Sequence, residues 1–230
     1  MDAQSLLGCW ENGRQRHALD RALLLYAASE PAEDPDTLAD RALGERNAAL
    51  LRLRQRLFGD ALKSCVDCPE CGERLEFSLS AATLLGRACT IHADTHVVVA
   101  GERLRLPTTR DLASIAEEPD EIHATRKLLN RLRVDGAQSD LEFAHAELAR
   151  AFDTADPCMD LAIELDCPAC AHSWSAAFDV PGFLWEEIDA RARRLLDEVH
   201  VLAHTYGWDE TQILRLSEAR RHAYLQRALS

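Results

Sequence analysis

Apolar and polar positions follow two different periods along this chain, and the change of period divides it. Residues 1–58 read as helical, with Leu19, Ala22, Leu23 and Tyr26 on one face. The acidic, proline-bearing stretch 29–36 breaks that face. Leu50, Leu53, Arg54 and Leu57 then define a second helix, which Gly59 ends. Residues 60–80 change to alternation, with Leu75, Phe77 and Leu79 pointing one way as in a strand. Segment 95–107 reads as a hairpin, with arms at 97–99 and 104–106 and Ala100-Gly101-Glu102 at its turn. Helices are predicted over 109–117, 120–133 and 139–152, punctuated by Pro119 and Asp135-Gly136. Residues 160–166 alternate again. From Pro181 the helical period returns through Phe183, Leu184, Ile188, Leu195, Val199 and Leu202. Tyr206-Gly207-Trp208 interrupts it, Asp209 caps the next short helix, and Ser217 caps a last one carrying Arg220, Arg221, Tyr224 and Leu225.

Both alternating stretches run into a cysteine pair. Cys68-Pro69-Glu70-Cys71 is followed by apolar Leu75 and Leu79, and Cys167-Pro168-Ala169-Cys170 by Trp174 and Phe178 at the same offsets. Two such knuckles are the two halves of a zinc ribbon, each giving two thiolates to an ion that wants four. The 95 residues between Cys71 and Cys167 are no obstacle. Closing that loop costs about 4 kcal/mol, whereas structural zinc contributes roughly 10–16 kcal/mol in finger peptides. Metal ligands are therefore Cys68, Cys71, Cys167 and Cys170, with one structural Zn2+ per chain. The alternatives are buried or oxidised thiol pairs, an ion shared between two chains, or Cys65 or His172 as a substitute ligand. Cys9, Cys89 and Cys158 stand alone and read as small core residues.

The expected fold class is mainly α with a small β element: helical N- and C-terminal parts around a split zinc ribbon and a short hairpin. The regions are 1–59 (helical), 60–180 (split ribbon with an insertion over about 86–158) and 181–230 (helical).

Composition narrows the function. The chain has 230 residues and a formal net charge of −13, with 47% hydrophobic and 6% aromatic residues. The stretches 1–60, 61–150 and 151–230 carry −2, −4 and −7, so none is basic. That opposes nucleic-acid binding, which needs cations to displace counterions. No apolar run approaches the roughly 20 residues of a membrane span. No export signal precedes the cysteines, so a reducing, cytoplasmic setting is expected. Four thiolates leave no open metal position, and no phosphate loop or nucleophile elbow is present. The pair His200 and His204 lacks the metalloprotease pattern, and His92 and His96 merely border the hairpin. No enzyme, no catalytic residue and no small-molecule substrate are expected.

The C-terminal string His204-Thr205-Tyr206-Gly207-Trp208-Asp209-Glu210, with Ile213, Leu214, Leu216, Arg220-Arg221 and Tyr224-Leu225, resembles the end of bacteriophage T4-type baseplate hub assembly proteins. That family includes members in phage-like contractile injection system clusters. Trp10-Glu11, Asp20-Arg21-Ala22, the run 51–59, Leu104 to Pro107 with Asp111-Leu112, and Phe183-Leu184-Trp185 with Ile188 are similar to the same group. The likeness spans most of the chain in short motifs, the closing string being the most specific. The chain departs at Asn47, where the resemblance implies an acid. The cysteine pairs belong to the injection-system branch alone, so the metal expectation rests on spacing.

The resemblance implies a non-enzymatic assembly factor or minor structural component of a contractile-tail baseplate. Its partners would be hub or wedge proteins, and it would be cytoplasmic or incorporated in a phage-tail-like particle. Trp208, Arg220, Arg221 and Tyr224 are the candidate partner-binding residues, being types that anchor interfaces; the same segment also reads as a helical hairpin packed into the core. The alternative function is a nucleic-acid-binding zinc-ribbon accessory protein, which the charge and Glu70, Glu73 and Glu76 oppose.

Overall fold

A computed structural model describes residues 1–86, 95–134 and 145–229. The N-terminal part comprises four helices: α1 (Ala3–Gly13), α2 (Ala18–Ser29), α3 (Pro35–Ala39) and α4 (Leu43–Phe58). The break expected over 29–36 ends in α3, because Pro35 suits a first helical turn and the Asp34 carboxylate accepts from the Thr37 N–H at 3.3 Å. Gly59 ends α4 as expected, at φ +86°.

Among the described residues three antiparallel hairpins follow, each a separate two-stranded sheet. They are β1 (Ala61–Asp67) with β2 (Arg74–Ser80), β3 (His96–Val99) with β4 (Glu102–Arg105), and β5 (Ala162–Asp166) with β6 (Ser173–Ala177). Between the first two lies α5 (Ala81–Gly86). The alternation over 60–80 is thus two strands rather than one, turned back at the knuckle. In the middle hairpin Ala100 and Gly101 hold φ of +50° and +83°, a two-residue left-handed turn, so Glu102 belongs to β4. Helices α6 (Thr109–Ile115) and α7 (Glu121–Leu132) lie where expected. Of the helix expected over 139–152, α8 (His145–Ala155) covers the later part; 139–144 lie outside the described residues. The C-terminal part is α9 (Val180–Tyr206), α10 (Glu210–Arg215) and α11 (Glu218–Ala228). Gly207 ends α9 at φ +69°, and Asp209 and Ser217 cap α10 and α11 as the sequence implied.

The N- and C-terminal helices share one core. Leu6, Leu7 and Trp10 of α1, Leu25 and Tyr26 of α2, and Leu50 and Leu51 of α4 pack with Leu184, Trp185, Ile188 and Leu195 of α9. A second cluster sits in the insertion: Val97, Val99, Leu104, Leu106, Leu132, Leu148 and Phe152.

Buried polar groups tie the start of α4 to that insertion. The Gly44 N–H donates to Asp156 Oδ2 at 2.8 Å, and any side chain at Gly44 would strike that carboxylate. Arg46 donates to Thr109 Oγ1 at 3.0 Å and twice to Asn47 Oδ1, at 3.2 and 3.0 Å. Burial lowers the Arg46 guanidinium to about 10. Asn47 Nδ2 donates to the carbonyls of Cys158 and Met159 at 2.9 and 3.1 Å. An acid at 47 could accept from Arg46 but could not make those two donations. The Asn47 amide thus fits its surroundings on both sides.

At its other end α4 is tied to α9. Arg54, read from sequence as part of an apolar face, is indeed buried, and it forks onto Glu187 at 2.8 and 2.6 Å while donating to the Gly59 carbonyl at 2.6 Å.

Candidate metal centre

An isolated two-stranded hairpin is marginal in water, and the β1–β2 and β5–β6 hairpins have little core of their own. Of their strand residues only Leu62 is buried, while one row of each hairpin is half-buried: Leu75, Phe77 and Leu79 in β2, Trp174 and Ala176 in β6. Leu79 and Phe178 pack at the base against the helical core. The far ends need another anchor, and the four cysteines lie there.

The two knuckles repeat one backbone pattern. The Cys68 N–H donates to the Glu73 carbonyl at 2.8 Å and the Gly72 N–H to the Cys68 carbonyl at 2.9 Å. In the second knuckle the Cys167 N–H donates to His172 and the Ala171 N–H to Cys167, both at 2.9 Å. Gly72 and Ala171 occupy the same left-handed position, φ +76° and +58°. Glycine is at ease there, whereas alanine accepts a cost of about 1 kcal/mol.

The thiols converge in crossed pairs. Cys68 Sγ lies 3.7 Å from Cys170 Sγ, and Cys71 Sγ 3.6 Å from Cys167 Sγ. All four sulfurs fall within 4.8 Å of one another. A tetrahedral ion with metal–sulfur bonds of about 2.3 Å places its ligands about 3.8 Å apart, so the set fits one. The separations are too long for disulfides. The first cysteine of each knuckle is buried and the second exposed, and each pair joins one of each kind, an approximate twofold relation between the knuckles.

Without a metal the thiols compete for protons. Burial opposes charge on Cys167, yet the N–H groups of Cys170 and Ala169 and the Cys71 thiol bring it down to about 7. The Glu73 N–H favours a Cys71 thiolate, but the neighbouring sulfurs and burial push that thiol up to about 12. One cation among them would favour the thiolate form of all four.

The structure therefore brings together the four cysteines chosen from spacing, all from one chain. Cys65 lies on the exposed row of β1, where Arg74 donates to its sulfur at 2.9 Å, and is not one of the group. His172 contributes its carbonyl to the knuckle while its ring stacks on Trp174 at 5.8 Å. Cys9 and Cys158 are buried, and burial pushes the Cys9 thiol up to about 11. Cys89 and His92 lie outside the described residues. His200 and His204 are exposed on α9 with their rings stacked at 6.5 Å, and His96 is on β3.

The candidate partner-binding residues divide. Trp208 is half-buried, stacked on Tyr206 at 4.8 Å and edge-on to Tyr224 at 4.8 Å. Arg220 is exposed. Arg221 points inward, donating to Glu198 at 2.8 Å and to the Leu216 carbonyl at 2.6 Å. It fastens α11 to α9 and presents no surface. The sequence reading did not anticipate that Trp10 and Trp185, far apart in the chain, would line one groove. The one local signal was Arg14, four residues after Trp10; Arg21 and Trp185 lie 164 residues apart.

No protein-family model, curated protein or solved structure matches this chain.

Proposed function

We propose that this chain is a non-enzymatic, protein-binding component of a contractile-tail or injection-system baseplate, an assembly factor or minor structural part, held in shape by one structural zinc ion. The observation that carries the reading is the set of four thiols at tetrahedral spacing, all supplied by the chain. Such a set fills the coordination sphere and leaves no position for a reacting water. Its chemistry is therefore cohesive: it closes two knuckles, 95 residues apart, into one ribbon and fixes the insertion between them. Soft thiolates select zinc over harder cations. The baseplate assignment draws on the resemblance of the C-terminal string, whose Trp208 and Tyr224 stand half-exposed beside Arg220. An acidic surface suits a factor that must release its partner, because it discourages nonspecific contacts and favours basic patches.

The test is an affinity pull-down from the native source at physiological salt, with bound proteins identified by mass spectrometry. Recovery of hub or wedge subunits is the expected result. Recovery of nucleic acid or RNA polymerase subunits, with binding that weakens steeply in salt, would replace the reading with that of a nucleic-acid-binding ribbon.

A further inference from the structure

A groove of about 530 Å³, with no cysteine in its lining, opens at the surface between α1, α2 and α9. Its walls include Trp10, Arg14, Arg21, Trp185, Asp189 and Arg193. Each indole carries a guanidinium. Arg14 lies 5.4 Å over the Trp10 ring and Arg21 5.1 Å over the Trp185 ring. The indoles are themselves fixed. Trp10 Nε1–H donates to Asp189 Oδ1 at 2.7 Å, and Trp185 closes against Gly13, where any side chain would collide with its ring.

The charges at this place do not cancel. Asp189 is already satisfied by Trp10 and by Arg193, whose Nε donates at 2.8 Å. Among the described residues no carboxylate lies within ion-pair distance of Arg14 or Arg21. Two cations thus lie over aromatic planes with no ion-pair partner among the described residues, on a chain whose net charge is −13. Stacking restrains a guanidinium while leaving the N–H groups around its edge free to fork onto a carboxylate. Beside them Leu196, also in the groove wall, is 38% exposed.

We propose that this groove docks an acidic segment of a partner protein: Arg14 and Arg21, held over the buried indoles, each take a carboxylate, and an apolar side chain between these seats against Leu196. Charge complementarity favours carboxylates over a polyphosphate backbone. The two stacked cations can balance two single charges but not the denser charge of a continuous polyanion, and Glu186 on the same wall offsets part of their charge. The proposal deepens the protein-binding reading above by naming the chemistry of one partner, and it depends on that reading for the partner being a protein.

The experiment selects a displayed random peptide library on the full-length protein, then measures the enriched peptides and a 15-nucleotide single-stranded DNA by fluorescence anisotropy. The comparison proteins are Arg14→Gln/Arg21→Gln and Arg14→Lys/Arg21→Lys, both at exposed or half-exposed positions, with thermal melting to confirm their fold. Enriched peptides should carry two Asp or Glu flanking an apolar or aromatic residue. Their affinity should fall at least about tenfold in the glutamine variant and less in the lysine variant, which keeps charge but loses the stacked fork. Peptides without acidic enrichment, or peptides that bind the glutamine variant equally, would overturn the proposal. So would DNA that outcompetes them at the same groove. If the native pull-down recovers baseplate subunits equally with wild type and the glutamine variant, the groove is not the docking site and the assembly reading stands. Acidic peptides selected at the groove without any baseplate subunit in the pull-down would keep the groove and remove the baseplate.

Discussion

Asp111 shows how a single buried charge is made tolerable. It is 1% exposed, and burial by itself would raise its pKa. Arg105 donates at 2.6 and 2.8 Å, Arg131 at 3.2 Å, and the Thr108 hydroxyl and N–H at 2.9 and 3.0 Å. These partners win and hold the carboxyl at about 2. A depressed folded-state pKa means stability that is complete above the unfolded value of about 3.9 and is lost as pH falls through the folded one. Asp111→Asn should therefore cost about 1–2 kcal/mol near pH 7, a figure reduced because both arginines are partly exposed. The deficit should close between about pH 4 and pH 2 in urea titrations. A deficit that persists unchanged at pH 2 would mean the carboxylate charge is not what matters. Ala171 offers a second test at this scale. Ala171→Gly should stabilise the holoprotein by up to about 1 kcal/mol and Gly72→Ala should destabilise it by a similar amount, both read from denaturation midpoints. Opposite signs would contradict the left-handed knuckle geometry.

At the scale of elements, the start of α4 joins the helical core to the insertion through buried polar groups. Asn47 is central because it accepts from Arg46 and donates to two carbonyls near Cys158. Asn47→Ala would strand a buried guanidinium together with those carbonyls, and a loss of about 2–3 kcal/mol in chemical denaturation is expected. A change below about 0.5 kcal/mol, the ordinary range of a surface substitution, would show that the contact carries no weight. Elements also show what the sequence made legible. Gly59, Asp209 and Ser217 marked helix ends correctly because caps and left-handed glycines act locally. The knuckles were legible because metal ligation demands a spacing that chance seldom repeats with matching apolar offsets. Strand β1 was hidden in a single alternating run, since alternation cannot show where a chain doubles back. The inward turn of Arg221 and the meeting of Trp10 with Trp185 depend on how α9 lies against α11 and α1, which no local pattern encodes.

For the whole molecule, the cysteine cluster brings the tips of two hairpins, 95 residues apart in sequence, to one place, while the helices share a core of their own. Two marginal hairpins are anchored to the helical core at their bases, through Leu79 and Phe178, and to each other at their tips. No helix among the described residues is long and apolar enough to cross a membrane. If zinc supplies the tip anchor, Cys68→Ser or Cys167→Ser should each remove more free energy than a typical folding stability of about 5–15 kcal/mol. The expected outcome is loss of cooperative melting in either variant and on chelation of the wild type. The measurement that tests the central claim most directly is metal analysis of the purified full-length chain, joined to the absorption spectrum after cobalt substitution. The account predicts about one zinc per chain and the spectrum of a tetrahedral four-thiolate site. A metal-free chain that melts cooperatively at the same temperature, or a cobalt spectrum with a nitrogen or water ligand, would contradict it.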